Sequence, residues 1–119
     1  MAVPFARLAE LDRVVHEPAR LAILTALAAC RSADFLFLQR LTGLTKGNLS
    51  SHLSKLENAE LIAIEKEFVV KVPKTRVSLT KAGRAAITQH WTKLDKLRRE
   101  SLDWSPEDEP RQPGTTSRS

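Results

Sequence analysis

Two things are scarce in this 119-residue chain: cysteine and, over two long stretches, carboxylate. The one cysteine, Cys30, excludes an internal disulfide. Its place at the end of an apolar helix pattern reads as an inert, partly buried thiol. No apolar run approaches the roughly 20 residues of a membrane-spanning helix. The N-terminus MAVPFARLAE also lacks the apolar centre of a secretory leader, so a cytoplasmic protein with no membrane partner is expected. His16, His52 and His90 lie far apart and none sits beside Cys30, so neither a metal site nor a cofactor is expected. A Ser-His-Asp set, paired catalytic carboxylates and a glycine-rich phosphate loop are all missing, which argues against an enzyme.

The missing acids are more telling. Between Asp34 and Glu57 there is no carboxylate, only Arg40, Lys46 and Lys55. Between Glu67 and Asp95 there is again none, while Lys71, Lys74, Arg76, Lys81, Arg84 and Lys93 accumulate. Solubility gives no reason to exclude acids from two stretches. A polyanionic partner does, and the net charge of +5 agrees with one.

What is present reads as one domain. Hydrophobic residues at 42% and charged residues at 28% are ordinary for a globular protein, and the length supports a single modest core. Phe5, Leu8, Leu11 and Val15 predict a short amphipathic helix over residues 5–16. Pro18 suits the first turn of a second helix, which buries Leu21, Leu24, Leu27 and Ala28 and ends near Cys30. "SADF" suggests a short edge strand. A third helix follows, with Leu38 and Leu41 inward and Gly43 as a left-handed stop. Thr45 can cap a fourth helix, in which Leu49, Leu53 and Leu56 form the buried stripe. "LIAIEKEFVV" and "TRVSLT" have strand composition, and "KVPK" reads as the basic connection of an antiparallel pair. Thr80 opens a long helix to about Asp103. From Ser105 the composition predicts an unstructured tail, dividing the chain into a domain at 1–104 and a tail at 105–119. The expected fold is mainly α with a small β-hairpin, an α+β winged helix-turn-helix with an extra C-terminal helix.

The fourth helix has an unusual outer face: Gly47, Asn48, Ser50, Ser51, His52 and Ser54 where a solvated helix carries long charged side chains. A helix entering the DNA major groove must bring its backbone close to base edges, and carboxylates there would repel phosphates. Asn48 offers a donor and an acceptor to adenine, and Ser51 suits either strand. Lys46 and Lys55 reach guanine or phosphate, and His52 on the flank suits a base or phosphate contact. A merely solvated, serine-rich helix is the plainer reading. It leaves several mediocre helix formers uncompensated, at about 0.5 kcal/mol each.

"TGLTKGNLSSHLSKLENAELIAIEK" followed by "PKTRVSLTKAG" resembles the winged-helix transcriptional regulators related to the multiple-antibiotic-resistance (MarR) and arsenical-resistance (ArsR) families, and most of all their small single-domain members. The likeness spans roughly residues 10–90. It rests on Gly43-Leu44, Asn48-Leu49-Ser50, His52-Leu53, Leu56-Glu57, Pro73, Thr75, Leu79-Thr80 and Gly83. The resemblance implies a homodimeric DNA-binding regulator with its recognition helix at 45–58 and its wing at 66–76. Double-stranded DNA, as an inverted repeat, is the expected partner. Thr45, Lys46, Gly47, Asn48, Ser50, Ser51, His52 and Lys55 would contact it from the helix, and Lys71, Lys74, Thr75 and Arg76 from the wing. Two departures stand out. Ala59-Glu60-Leu61 replaces the usual Ala-Gly-Leu, so a different helix end is expected, because a left-handed non-glycine costs about 1 kcal/mol. The wing has Glu67 and Val70 where relatives tend to be small.

Apolar residues at both ends exceed the needs of one small core. Phe5, Leu8 and Leu11, with Ile87, Trp91, Leu94 and Leu97, are therefore expected to form a two-fold dimer interface; the plainer reading is that both helices simply cover the same core. Any effector would have to bind at those dimer helices, and no residue pattern names one. The alternative function is a winged-helix protein-interaction module that no longer binds DNA, which the missing wing glycines permit.

Overall fold

The computed structural model describes residues 4–70 and 72–108. Helix α1 (Pro4–Ala9) leads through a turn to α2 (Pro18–Ala29), and β1 (Ala33–Asp34) precedes α3 (Phe35–Thr42) and α4 (Lys46–Asn58). The hairpin β2 (Ile62–Val69) and β3 (Val72–Leu79) is followed by α5 (Lys81–Asp103) and a 3-10 turn at Pro106–Asp108. The fold is thus mainly helical with a small antiparallel sheet, as its sequence predicts. None of the described helices is long and apolar enough to cross a membrane.

Local chemistry explains most boundaries. Glu17 caps α2 by accepting the Arg20 N–H, with Pro18 in the first turn. Asp34 caps α3 through the Phe37 N–H, and Gly43 ends it at φ 72°. Thr45 and Thr80 cap α4 and α5 by accepting the N–H groups of Asn48 and Gly83. Each such cap is worth about 1 kcal/mol. The core joins Ile23, Leu24 and Leu27 of α2 to Leu38, to Leu49, Leu53 and Leu56 of α4, and to Ile62, Val77 and Ile87. At about 1.5–3 kcal/mol per buried aliphatic side chain, this apolar layer is the main stabilising term.

The sheet order is β1-β3-β2, with β3 central. Ala33 pairs with Val77 on one side of β3, and β2 pairs along its full length from Ile62↔Leu79 to Val69↔Val72.

Four expectations need correction. The first helix stops at Ala9 rather than running to residue 16. Asp12 accepts the Val14 N–H in a side-chain turn, which competes with the helix, yet Leu11 and Val15 still reach the core. Leu41 and Ala28 are exposed, and Ile23 takes the buried place in α2. The wing connection is shorter than "KVPK", since β3 already begins at Val72 and leaves only Val70 and Lys71 between the strands.

The fourth concerns Glu60. It lies at φ 63°, so α4 does end through a left-handed residue although no glycine is there. Its neighbours enforce that conformation. The Leu61 N–H donates to the Leu56 carbonyl at 3.0 Å, and the Thr80 hydroxyl donates to the Glu60 carbonyl at 2.8 Å. Gly83 completes the corner, because a Cβ there would lie 1.8 Å from the Leu61 carbonyl oxygen. The helix end, the sheet and the start of α5 are therefore locked at one point.

Candidate nucleic-acid interface

With Leu49, Leu53 and Leu56 turned into the core, α4 exposes Lys46, Gly47, Asn48, Ser50, Ser51, Ser54 and Lys55. From Lys46 to Lys55 that surface carries two cations and no carboxylate. Thr45 sits at its start, its hydroxyl oxygen 3.1 Å from the Asn48 nitrogen. Gly47 has no internal justification. A Cβ there would meet nothing within 4 Å, and the backbone needs no left-handed freedom. Gly47 stands in the first turn of α4, where a glycine costs less than the roughly 1 kcal/mol of a helix interior, and it leaves the backbone there open to close approach from outside.

His52 is turned away from this surface. Its Nδ1 lies 3.1 Å from a terminal guanidinium nitrogen of Arg20 and 3.9 Å from the Glu17 carboxylate. A guanidinium only donates, so Nδ1 accepts and the ring proton sits on Nε2. Arg20 also donates to the carbonyls of Val14 at 2.7 Å and Arg13 at 3.2 Å. The group ties α4 to the start of α2. Burial works to raise the Glu17 carboxyl, but the Arg20 N–H, the charge of His52 in its protonated form, the charge of Arg20 and the Ala19 N–H outweigh it and hold the pKa below its ordinary value.

The wing has two unlike faces. Strand alternation from the half-buried Ile64 and its buried partner Val77 places Lys66, Phe68 and Thr75 on the core-side face, and Glu65, Glu67, Lys74 and Arg76 on the other. On that second face the charges engage one another. Arg76 donates to the Ser32 hydroxyl at 2.8 Å and lies 3.6 Å from the Glu67 carboxylate, while Lys74 Nζ is 3.9 Å from the Asp34 carboxylate. The carboxylate-free run after Glu67 is thus opposed across the sheet by Glu65, Glu67 and Asp34. Arg76 and Lys74 are not the unengaged cations that the linear sequence suggests. Lys71 lies outside the described residues.

Between the turn before α2 and α5, His16 Nδ1 and His90 Nε2 approach to 3.1 Å. His90 is buried, beside a cleft of about 160 Å³ lined by Leu11, Asp12, Val15, Ala86, Gln89, His90 and Lys93. Burial first, then the charges of His16 and Lys93, push the His90 pKa down against an opposing pull from Asp12.

A family model described as a winged helix DNA-binding domain matches residues 19–97. The chain belongs to the winged-helix DNA-binding domain family. An uncharacterized protein of Methanocaldococcus jannaschii is 30% identical over 78 residues, covering 66% of this chain and 85% of that one. Among solved structures, a transcriptional regulator homologue from Pyrococcus horikoshii superposes with a TM-score of 0.74 at 28% identity, covering 83% of this chain and 97% of that one. Apo MarR from E. coli shares the fold, with a TM-score of 0.61, 17% identity and coverage of 91% and 90%. The fold and these relatives place the chain among DNA-binding transcriptional regulators.

Seen as a winged helix, the chain gathers Thr45, Lys46, Gly47, Asn48, Ser50, Ser51 and Lys55 on α4 and separates Thr75 from Lys74 and Arg76 on the wing. Lys66 was missed by sequence reasoning, although the alternation Ile62, Ile64, Lys66 carries the signal. The residues expected at a dimer interface also divide. Leu11, Ile87 and Leu97 are already buried within one chain, Leu94 is half-buried, and Phe5, Leu8 and Trp91 are exposed.

Proposed function

We propose that this winged helix is a homodimeric regulator that reads an inverted repeat, with α4 in the major groove and the wing along the neighbouring backbone and minor groove. The carboxylate-free outer face of α4, centred on a glycine with open space around it, carries this reading. Asn48 and Ser51 read base edges, and Lys46 and Lys55 take guanine or phosphate. On the wing, Lys66 and Thr75 grip the backbone, while Lys74 and Arg76 stiffen the hairpin and hold it to β1 through Asp34 and Ser32. His52 positions α4 against α2. Phe5, Leu8, Trp91 and the exposed Leu102 form the surface that meets a second copy.

Selection of bound duplexes from a random pool tests the function, with an inverted repeat as the expected product. On the selected duplex, Asn48→Ala weakens binding by about 1–3 kcal/mol and leaves affinity for random duplex nearly unchanged. An unchanged ratio of specific to random affinity removes Asn48 from the reading set. A pool that returns no duplex leaves the protein-interaction alternative in possession.

A further inference from the structure

The tip of the wing does not resemble a solvated turn. Phe68 is 75% exposed and Val70 is 89% exposed, at the end of a hairpin that projects from the body. Val69 pairs with Val72, so Val70 and Lys71 are the two residues that connect the strands. Val70 stands at φ 52°, a conformation that two-residue hairpin turns demand and that glycine or asparagine ordinarily supplies. A β-branched residue there is disfavoured by backbone sterics, and an apolar one by water. Neither the core nor the turn explains this apolar tip.

The surroundings of Phe68 indicate what would cover it. It shares the wing face with Lys66 and Thr75, and among the described residues no carboxylate pairs with Lys66. Nearer the body, the same face buries Ile62 and Val77 in the core that holds Leu49, Leu53 and Leu56 of α4. It therefore lies on the side of the sheet against which α4 packs, the helix whose outer face is assigned to DNA. Glu65 and Glu67 are confined to the opposite face. An apolar ring flanked by a cation and shielded from carboxylates complements a duplex groove: phosphates take the cation, and a base step takes the ring.

The geometry points to Phe68 as an apolar wedge, which enters the minor groove beside the α4 contact and partly unstacks one base-pair step. This deepens the DNA-reading function and rests on it. Side chains that wedge between bases select steps that unstack easily, so Phe68 would add preference for flexible pyrimidine–purine steps at a position with no hydrogen-bond readout. Because the ring neutralises no phosphate, its contribution is independent of salt.

The full chain, bound to the duplex recovered by selection, provides the test. With 2-aminopurine placed in turn at each adenine flanking the half-sites, the native chain should raise fluorescence several-fold at one step on each side. Phe68→Ala should abolish that rise and weaken specific binding about tenfold, with the slope of log affinity against log salt unchanged. Phe68→Trp should preserve the unstacking, and an unaltered circular dichroism melt for both variants shows that the exposed site does not affect folding. The wedge is overturned if no probe position brightens with the native chain, or if Phe68→Ala keeps both signal and affinity. A Phe68→Ala chain that keeps both and loses mass in sedimentation identifies the tip as a protein contact, which overturns it equally. Failure to bind any duplex sinks the DNA-reading function itself, an outcome distinct from binding without unstacking.

Discussion

Among the described residues, Glu60 at φ 63° and Val70 at φ 52° hold left-handed backbone without being glycine, and both stand where relatives are expected to be small. Glu60 is exposed and its side chain has no part in the corner it occupies; only its backbone does, through Glu57, Thr80 and the neighbouring Leu61. A left-handed L-residue costs roughly 1–2 kcal/mol, and glycine's extra freedom in the unfolded chain returns about 0.5–1 kcal/mol of that. Glu60→Gly should therefore raise stability by about 0.5–1 kcal/mol, while Glu60→Ala, which keeps a Cβ, should not. Urea unfolding reads this as a higher midpoint at constant slope, and a lower midpoint for the glycine variant would contradict the strain. Gly83 is the opposite case, a glycine that the Leu61 carbonyl makes obligatory. Sequence alone marks Gly83 as a helix-end residue but gives no sign of that contact, because the crowding atom belongs to a strand entry 22 positions away.

At the scale of elements, what was legible is what short-range chemistry decides. Pro18, Gly43, Thr45 and Thr80 each act on groups within a few residues, so the helices begin or end where those residues predict. The wing was legible as a hairpin but not as two faces, since the side on which Arg76 sits depends on its pairing with Glu65. Long-range side-chain meetings were not legible at all. His52 looked like a groove residue because helical phase puts it on the flank; its partner Arg20 lies on another helix. Likewise nothing local joins His16, in the turn before α2, to His90 on α5. That pair makes a prediction about the packing of the turn against α5. The folded pKa of His90 is depressed below the ordinary imidazole value of about 6.5. Above that value both states are neutral at this site and its contribution to stability is complete. As pH falls through it the unfolded chain binds the proton first, so stability declines from there downward. Asp12, His16 and Lys93 are the charged or titratable groups acting on the ring, and only Asp12 favours its protonation. Urea midpoints between pH 8 and 5 should fall with acid in the native chain and fall less in His90→Gln. Glu17, whose carboxyl pKa is lowered, contributes a separate loss only below about pH 4.5, its ordinary value. Identical pH profiles for the two chains would rule the pair out.

For the whole molecule, the question is what one chain leaves uncovered. Within the chain α1 lies along the C-terminal part of α5, where Arg7 meets the Glu100 carboxylate at 3.0 Å and Phe5 packs edge-on to Trp104 with ring centroids 5.1 Å apart. Leu11, Ile87 and Leu97 are buried within the single chain, Ile87 in the main core, so they cannot also be the contact surface that the apolar excess suggests. The remaining candidates lie further out. Trp91 is 47% exposed although its indole N–H donates to the Thr25 hydroxyl at 3.2 Å, and Leu102 is 73% exposed. Eleven residues apart on one helix, they differ by only about 20° in azimuth. Asp95 and Arg98, paired at 3.3 Å, lie between them on the same helix face. A surface with apolar ends and a paired polar centre suits the self-complementary contact of a two-fold dimer. Such a dimer would present two copies of α4 to paired half-sites, as the proposed inverted repeat requires. Replacing Trp91 and Leu102 with Glu puts two unpaired charges per chain into that contact. Each costs several kcal/mol if buried, enough to weaken the dimer by on the order of a thousandfold or more. The variant should sediment as a folded monomer at micromolar concentration, where the native chain should sediment as a dimer. It should also lose the selected inverted repeat while keeping weak, salt-sensitive affinity for random duplex, because α4 and the wing are untouched. A native chain that is itself monomeric at that concentration, or a variant that stays dimeric, would place the partner surface elsewhere.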